Sequence, residues 1–358
     1  MKNTVTPKLR WNHLTRVSAA ILIALIAAAC GSSGSSSSNT SQPSGGSSTT
    51  GATKQSPIGV FISGSKAVTY SVAEVEGLDQ GAKATGIPYQ LFEGNFDPGT
   101  QYTQLQNAFE AKRFTNYIIH PAADNLCQLV KDAVASQKIN VVVMNAPLCG
   151  QHTATGDALW TPGTVTFVGG NPNFPGYLRF WKTFATMIPA GAKILSVTGP
   201  KINGNAVGWV AGLEAAKAAG SDLNVVATLN SDYTTPTTLK DVTAYLQANR
   251  DVDTVVTNYI AMTQGVVKAV QALGLSAKVK VYDYGGDKEA LTLIKAGDVV
   301  ATTPYFPVSM AAAAYDAIAK VLADKPVPHF IGEDGNSELT NKFYWITKDN
   351  ADTFTPQY

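Results

Sequence analysis

Short β-branched runs alternate with helically spaced apolar residues through most of this chain, in two waves that meet at residues 164–176, TVTFVGGNPNFPG. About five strand-then-helix units precede that stretch and about five follow it. Strands that alternate with helices form parallel sheets covered by helices, and two waves make two lobes. Val165, Phe167 and Val168 read as the last strand of the first wave. The Gly169-Gly170-Asn171-Pro172 cluster is a breaker at which the chain can leave one lobe for the other. The expected fold is therefore α/β, two doubly wound parallel-sheet lobes, with function in the cleft between them. At 358 residues and 45% hydrophobic content the chain is large enough for both cores.

The same sequence excludes several classes of function. A formal net charge of +1 leaves no electrostatic footprint for nucleic acid. His13, His120, His152 and His329 are scattered, and the cysteines have no zinc-type spacing. No P-loop, HExxH, GxSxG or GxGxxG occurs, so no enzyme signature, cofactor or metal is implied. GPKINGNAVG, residues 199–208, lacks the Lys-Ser/Thr pair of a phosphate cradle and reads as a strand-to-helix turn. An exported hydrolase would need a nucleophile with its base, and none is visible.

The first residues read as an address. Lys2, Lys8, Arg10 and Arg16 precede an apolar run, residues 17–29, that ends in Ala-Ala-Ala-Cys-Gly. A basic start, a short apolar core and small residues before a cleavage point make a secretory signal. The run is too short for a membrane span. Cys30 after the small residues resembles a bacterial lipobox, in which that Cys is lipidated and becomes the mature N-terminus; Ala27 stands where the motif usually has Leu. An ordinary signal peptide with a stray Cys is the alternative. Residues 31–53 are almost wholly Ser, Gly and Thr and cannot bury enough apolar surface to order themselves, so they read as a tether. A DNA-binding regulator of related fold would carry a helix-turn-helix where this signal stands.

In the first wave, residues 58–62 (IGVFI) read as a buried strand, followed by a loop with Lys66 and Tyr70. Val72, Val75, Leu78 and Ala82 fall at helical spacing, closed by Gly86. Residues 139–145 form an apolar run as continuous as a doubly covered parallel strand should be. IGVFIS, TYSVAEVEGLDQGAKATG, NFDPGTQYTQLQNAF and IIHPAADN resemble the first lobe of the ribose-type (class I) periplasmic sugar-binding proteins. KILSVTGPKINGNAVGWVAGLEAAK, VVTNYIAMTQGVVKAV and VKVYDYGGDKEALTLIKAGDVVATTPYFP resemble the second. The resemblance runs from Pro57 to about Asp349. It implies flavodoxin-like sheets and three crossings between lobes, near residues 169–172, 303–307 and 330–332. The Pro-rich TTPYFP stretch suits a crossing on its own account, because Pro sits badly inside a central strand. The expected division is a signal at 1–29, a tether at 30–56, a first lobe at 57–169 with 306–331, and a second at 170–305 with 332–358.

Ligands of open α/β sheets bind outside the carboxyl ends of the strands. The loops there hold Lys66, Tyr70, Asn145, Asn171, Asn203, Asn205, Asp232, Tyr233, Asn258, Tyr259, Asp283, Tyr284 and Tyr305, with Trp209 at a helix start. The resemblance implies that Tyr70 and Tyr233 fall on ring-stacking aromatics, Asn145 and Tyr284 on carboxylates, and Asn258 and Tyr305 on amides. Ala146 and Val207 stand where the family has Arg, and Asp283 is one residue from the lost carboxylate. The site thus reads as aromatic and amide-rich, which shifts the expectation from a pentose or hexose towards a flatter or less hydroxylated solute. Trp160, Trp181 and His120 read as structural residues, and Trp209 as equally packing or site lining.

Cys127 and Cys149 remain once Cys30 is assigned to lipid. Export favours a disulfide between them, and neighbouring strands would bring both to one sheet edge; two buried thiols are the alternative. The expected function is a monomeric solute-binding lipoprotein on the outer face of a bacterial cytoplasmic membrane. It would take a small-molecule ligand and deliver it to the permease of an ABC importer. The alternative is a sensor that presents its closed form to a membrane signalling protein.

Overall fold

A computed structural model describes residues 56–332 and 344–358. The expected signal, the lipidation site Cys30 and all but the last residue of the tether lie outside the described residues, as does the start of the final segment. The first sheet opens with β1 (Ile58–Ile62), a strand buried at every position. It continues through β2 (Tyr89–Glu93), β3 (Asn116–Ile119), β4 (Asn140–Met144) and β5 (Thr166–Gly169). The helices between them are α1 (Thr69–Thr85), α2 (Pro98–Glu110) and α3 (Cys127–Ser136). The second lobe runs α4 (Phe174–Phe184), β6 (Lys193–Thr198), α5 (Gly204–Ala218), β7 (Asn224–Asn230), α6 (Thr235–Ala248) and β8 (Thr254–Thr257). It goes on through α7 (Ile260–Ala272), β9 (Lys280–Gly285), α8 (Lys288–Ala296) and β10 (Ala301–Pro304). Then α9 (Pro307–Leu322) and β11 (Phe330–Gly332) return to the first lobe, and β12 (Ile346–Thr347) lies in the second.

Among the described residues the strand orders are β11-β5-β4-β3-β1-β2 and β12-β10-β9-β8-β6-β7. Both are doubly wound, and every pairing is parallel except the two-residue edge strand β12 on β10. The α/β class with two parallel-sheet lobes is thus what the structure shows. Local chemistry sets the boundaries. Gly86 closes α1 in the left-handed conformation at φ 72°, where a Cβ would be strained. Asp97 caps α2 by accepting from the Thr100 amide at 2.6 Å, ahead of Pro98. Pro304 ends β10 and Pro307 begins α9, so the second crossing is punctuated at both sides.

The apolar stripe expected on α1 holds at Leu78, which is fully buried, and fails at Val72. Val72 is 50% exposed, whereas Glu74, Gly77 and Gly81 are buried. The reason is α9, which lies against α1 at backbone distance. A Cβ on Gly77 would stand 2.2 Å from the Val308 carbonyl oxygen, and one on Gly81 2.5 Å from Tyr315. Cys127 and Cys149 are joined as a disulfide that ties the start of α3 to the loop after β4. Among the described residues, no helix is long and apolar enough to cross a membrane.

Candidate functional site

The carboxyl ends of both sheets face one cavity of about 500 Å³, mouth included. The first lobe supplies Ser63 after β1, Tyr70 and Ser71 from α1, Phe96 before α2, His120 after β3 and Asn145 after β4. The second supplies Asn203 and Asn205 at the start of α5, Tyr233 after β7, and Asn258 and Tyr259 after β8. Pro172 and Tyr305 come from the two described crossings.

Three of these side chains are aimed by strained backbone. Phe96, Asn145 and Tyr233 have φ of 57°, 65° and 63°, the left-handed region that non-glycine residues seldom enter. At Tyr233 the turn lays the phenol ring over Gly199, where a Cβ would fall 2.0 Å from the ring. Only glycine at 199 lets that aromatic wall stand.

The lobes touch across the cavity. Asn205 Nδ2 donates to Asn145 Oδ1 at 3.0 Å, and Asn203 Nδ2 donates to the Ala122 carbonyl at 3.4 Å. The Phe96 and Tyr233 rings lie 6.0 Å apart, and Tyr70 meets Tyr305 edge-on at 5.8 Å. The described form is therefore closed, with a latch made largely of amides.

Most polar atoms on the wall are already paired. Asn145 Nδ2 donates to Tyr70 Oη at 2.6 Å, and Tyr233 Oη donates to Asn203 Oδ1 at 2.9 Å. Tyr305 Oη donates to the Asn258 carbonyl at 3.2 Å and meets Tyr177 Oη at 3.0 Å. Burial raises the Tyr233 and Tyr305 phenols well above their ordinary range and pushes Tyr259 up to about 12, so these rings stay neutral. Asn258 Oδ1 differs: it is buried and has no hydrogen-bonding partner. Among the described residues no Asp, Glu, Lys or Arg lines the cavity, and no cluster could hold a metal ion.

Of the positions named from sequence, the cavity gathers Tyr70, Asn145, Asn203, Asn205, Tyr233, Asn258, Tyr259 and Tyr305. The others lie elsewhere, each for a local reason. Lys66 is exposed, with its backbone amide on Glu93. Asp232 turns back on its own loop to accept from Thr234 and Thr237; these bonds outweigh burial and hold its carboxyl below the usual range. Asn171 ties the two crossings together, donating to the Pro304 carbonyl at 2.7 Å and accepting from Tyr284 Oη at 2.9 Å. Tyr284 and Trp209 are fully buried in the aromatic core under α4, and Trp209 donates to Ser196 Oγ at 2.9 Å. Asp283 is buried on the other face of β9 between Thr263 and Thr302, each 2.5 Å away, and burial raises its pKa.

Sequence reasoning missed Ser63, Ser71, Phe96 and Pro172, and it gave His120 a purely structural place. His120 lines the cavity, with its Nε2 3.0 Å from Ser63 Oγ. The strand-end rule alone would have found Ser63 and His120, since each directly follows a strand.

Two doubly wound lobes closed over a neutral, amide-lined cleft define a binding protein, and the family comparison agrees. Residues 58–326 match the periplasmic binding protein domain, and the chain belongs to that family of solute-binding proteins. No curated protein sequence matches it. Among solved structures it resembles the Caulobacter myo-inositol binding protein bound to myo-inositol, with 22% identity over 84% of this chain and 96% of that one, TM-score 0.70. It also resembles a carbohydrate transporter solute binding protein from Agrobacterium radiobacter in complex with D-arabinose: 20% identity, 82% and 95% coverage, TM-score 0.68. A third is an ABC transporter solute binding protein from Bacillus halodurans with bound myo-inositol: 18% identity, 86% and 100% coverage, TM-score 0.70. At these identities the likeness is one of fold.

Proposed function

We propose that this chain captures a neutral, ring-shaped polar solute of sugar or cyclitol size and hands it to the permease of an ABC importer. The observation that carries the reading is Asn258 Oδ1, a buried acceptor left unpaired on a cleft whose other walls are phenol rings and amides. A buried oxygen without a partner costs about 1–3 kcal/mol, and a ligand hydroxyl would relieve it. The aromatic rings offer flat apolar faces to a ring, and the absence of charged side chains among the described wall residues favours a neutral solute over an anion. Bound myo-inositol and D-arabinose in structures of the same fold support the size class.

The test is calorimetry on residues 57–358 with myo-inositol, D-arabinose and D-allose, and with benzoate as a flat anionic comparison. At least one neutral polyhydroxy ring should bind, and benzoate should not. Failure of all three neutral compounds would refute the reading. Lipidation of Cys30, the tether, the lobe boundaries at 169/170, 305/306 and 331/332, and a monomeric state belong to the same proposal. An unmodified, fully soluble full-length product on intact-mass analysis would overturn the anchor.

A further inference from the structure

Beneath the first-lobe wall lies a chain of three side chains that the cleft's amides do not account for. Glu74 is fully buried on α1, one turn from Tyr70, and its Oε1 stands 2.7 Å from His120 Nδ1. His120 Nε2 stands 3.0 Å from Ser63 Oγ. Ser63 and His120 both line the cavity, and the His120 ring is held edge-on to Tyr70 at 6.5 Å. A buried carboxylate is expensive unless hydrogen-bonded, and here its second oxygen has no partner. Packing alone would have been served better by an apolar residue at 74.

We propose that Glu74 and His120 are positioning residues that fix the Ser63 hydroxyl as a hydrogen-bond acceptor for the ligand on the first-lobe floor. An ionised carboxylate only accepts, so Glu74 accepts a hydrogen bond from the His120 Nδ1–H and fixes the imidazole tautomer. In the neutral ring the other nitrogen then accepts, and Ser63 Oγ–H points at Nε2 rather than into the cavity. The oxygen lone pairs of Ser63 are left facing the solute. The order Ser–His–Glu is that of a hydrolytic relay; in this binding fold it sets the polarity of a contact. With Asn258 Oδ1 on the second lobe, the cleft offers an acceptor from each side, so a solute must bring a hydroxyl donor to both lobes at once. Such a solute binds the closed form better than the open one, which is the condition for driving closure.

The inference rests on the sugar-binding reading, and the experiment separates the two. Calorimetry with myo-inositol at pH 7.5 is run on wild type, Ser63→Ala, Glu74→Leu, Glu74→Gln and the double variant Ser63→Ala with Glu74→Leu. Ser63→Ala is expected to weaken binding about tenfold. Glu74→Leu should weaken it severalfold, and Glu74→Gln, which keeps an acceptor oxygen, should stay within twofold of wild type. In the Ser63→Ala background, Glu74→Leu should cost nothing further, an outcome a merely structural role would not give. Imidazole nitrogen spectra of the ligand-free protein, assigned by loss of the signal in His120→Gln, should show Nδ1 protonated and Nε2 not. The Nε2 resonance should move in Ser63→Ala. Wild-type affinity in Ser63→Ala, additive losses in the double variant, or a doubly protonated ring would each overturn the proposal. If wild type binds none of the sugars, the proposed function fails, and the nitrogen spectra decide the relay alone. An Nε2 signal unmoved by Ser63→Ala then overturns it.

Discussion

Replacing Asn258 by Ala should move stability and binding in opposite directions. In the closed form Asn258 is 2% exposed, and its Oδ1 has no partner. An unsatisfied buried acceptor costs about 1–3 kcal/mol, so deleting it removes a penalty. Against that gain, the Asn258 side chain opposes the burial penalty on the nearby Tyr233 phenol, and losing it offsets part of the gain. The vacated space opens onto the cleft, so little cavity cost is added. The sum predicts a ligand-free thermal midpoint unchanged or raised by up to about 2 °C. Binding should fall instead: a solute hydroxyl that had relieved the oxygen loses its partner, about 1–3 kcal/mol or roughly 5- to 150-fold in Kd. Differential scanning calorimetry on the free protein and titration calorimetry with the sugar that binds wild type best measure the two quantities separately. A lowered midpoint with unchanged Kd would show that Asn258 is a structural residue, and the reasoning from its orphan oxygen would fall.

Three further outcomes follow from the geometry. Tyr70→Phe leaves Asn145 Nδ2 without the phenol oxygen 2.6 Å away and should cost about 1 kcal/mol of stability. Tyr70→Ala, which also removes the ring, should weaken sugar binding by about 1–3 kcal/mol, and equal affinities in the two variants would exclude a ligand contact for the ring. Asp287, 4% exposed, is pushed up to about 7 by burial first and by the Asp283 and Glu289 charges, against the Ala290 amide that it caps. The native state holds that proton longer than the unfolded chain, so the penalty grows from about pH 4 to about pH 7 and is full above it. Asp287→Asn keeps the cap oxygen and should stabilise the protein at pH 8 by of order 2–4 kcal/mol and not below pH 4; equal unfolding free energies for variant and wild type at pH 8 would refute this. The Cys127–Cys149 bridge spans 22 residues and should contribute about 3 kcal/mol, read as a lower denaturation midpoint after reduction, with no free thiol titrating in denatured, unreduced protein from residues 57–358.

The two-lobe architecture was legible because strand and helix periods alternate without ambiguity, and because Gly86, Pro304 and Pro307 punctuate where backbone physics demands it. Within the cleft, legibility ended at the direction of individual side chains. Asn145 and Asn258 come one residue after their strands end and turn into the cavity. Asp283 and Tyr284 sit inside β9, which runs to Gly285, so the two-residue period sends one to each face of the sheet. No loop composition reveals that one-residue difference. The Glu74–His120–Ser63 chain was hidden for another reason. Its members lie 46 and 57 residues apart, and the apolar spacing on α1 gave no reason to bury Glu74 in place of Val72. Only α9, arriving from the end of the fold to sit on Gly77 and Gly81, decides which side of α1 is interior.

The left-handed residues of the cleft have a bearing on how its specificity can be changed. At Tyr233 and Phe96 a replacement must tolerate positive φ, and at Asn145 the residue present is among the few that do so readily. Exchanging these three trades backbone energy along with side-chain chemistry, so few substitutions leave a folded wall. Ser71, Asn205 and Asn258 also line the cavity, and none of them has positive φ. Divergence towards new solutes, in nature or in a biosensor library, has its open positions there. Asn205 carries an extra consequence, because its amide is also half of the latch to Asn145. Varying it would retune how readily the lobes shut together with what they shut upon.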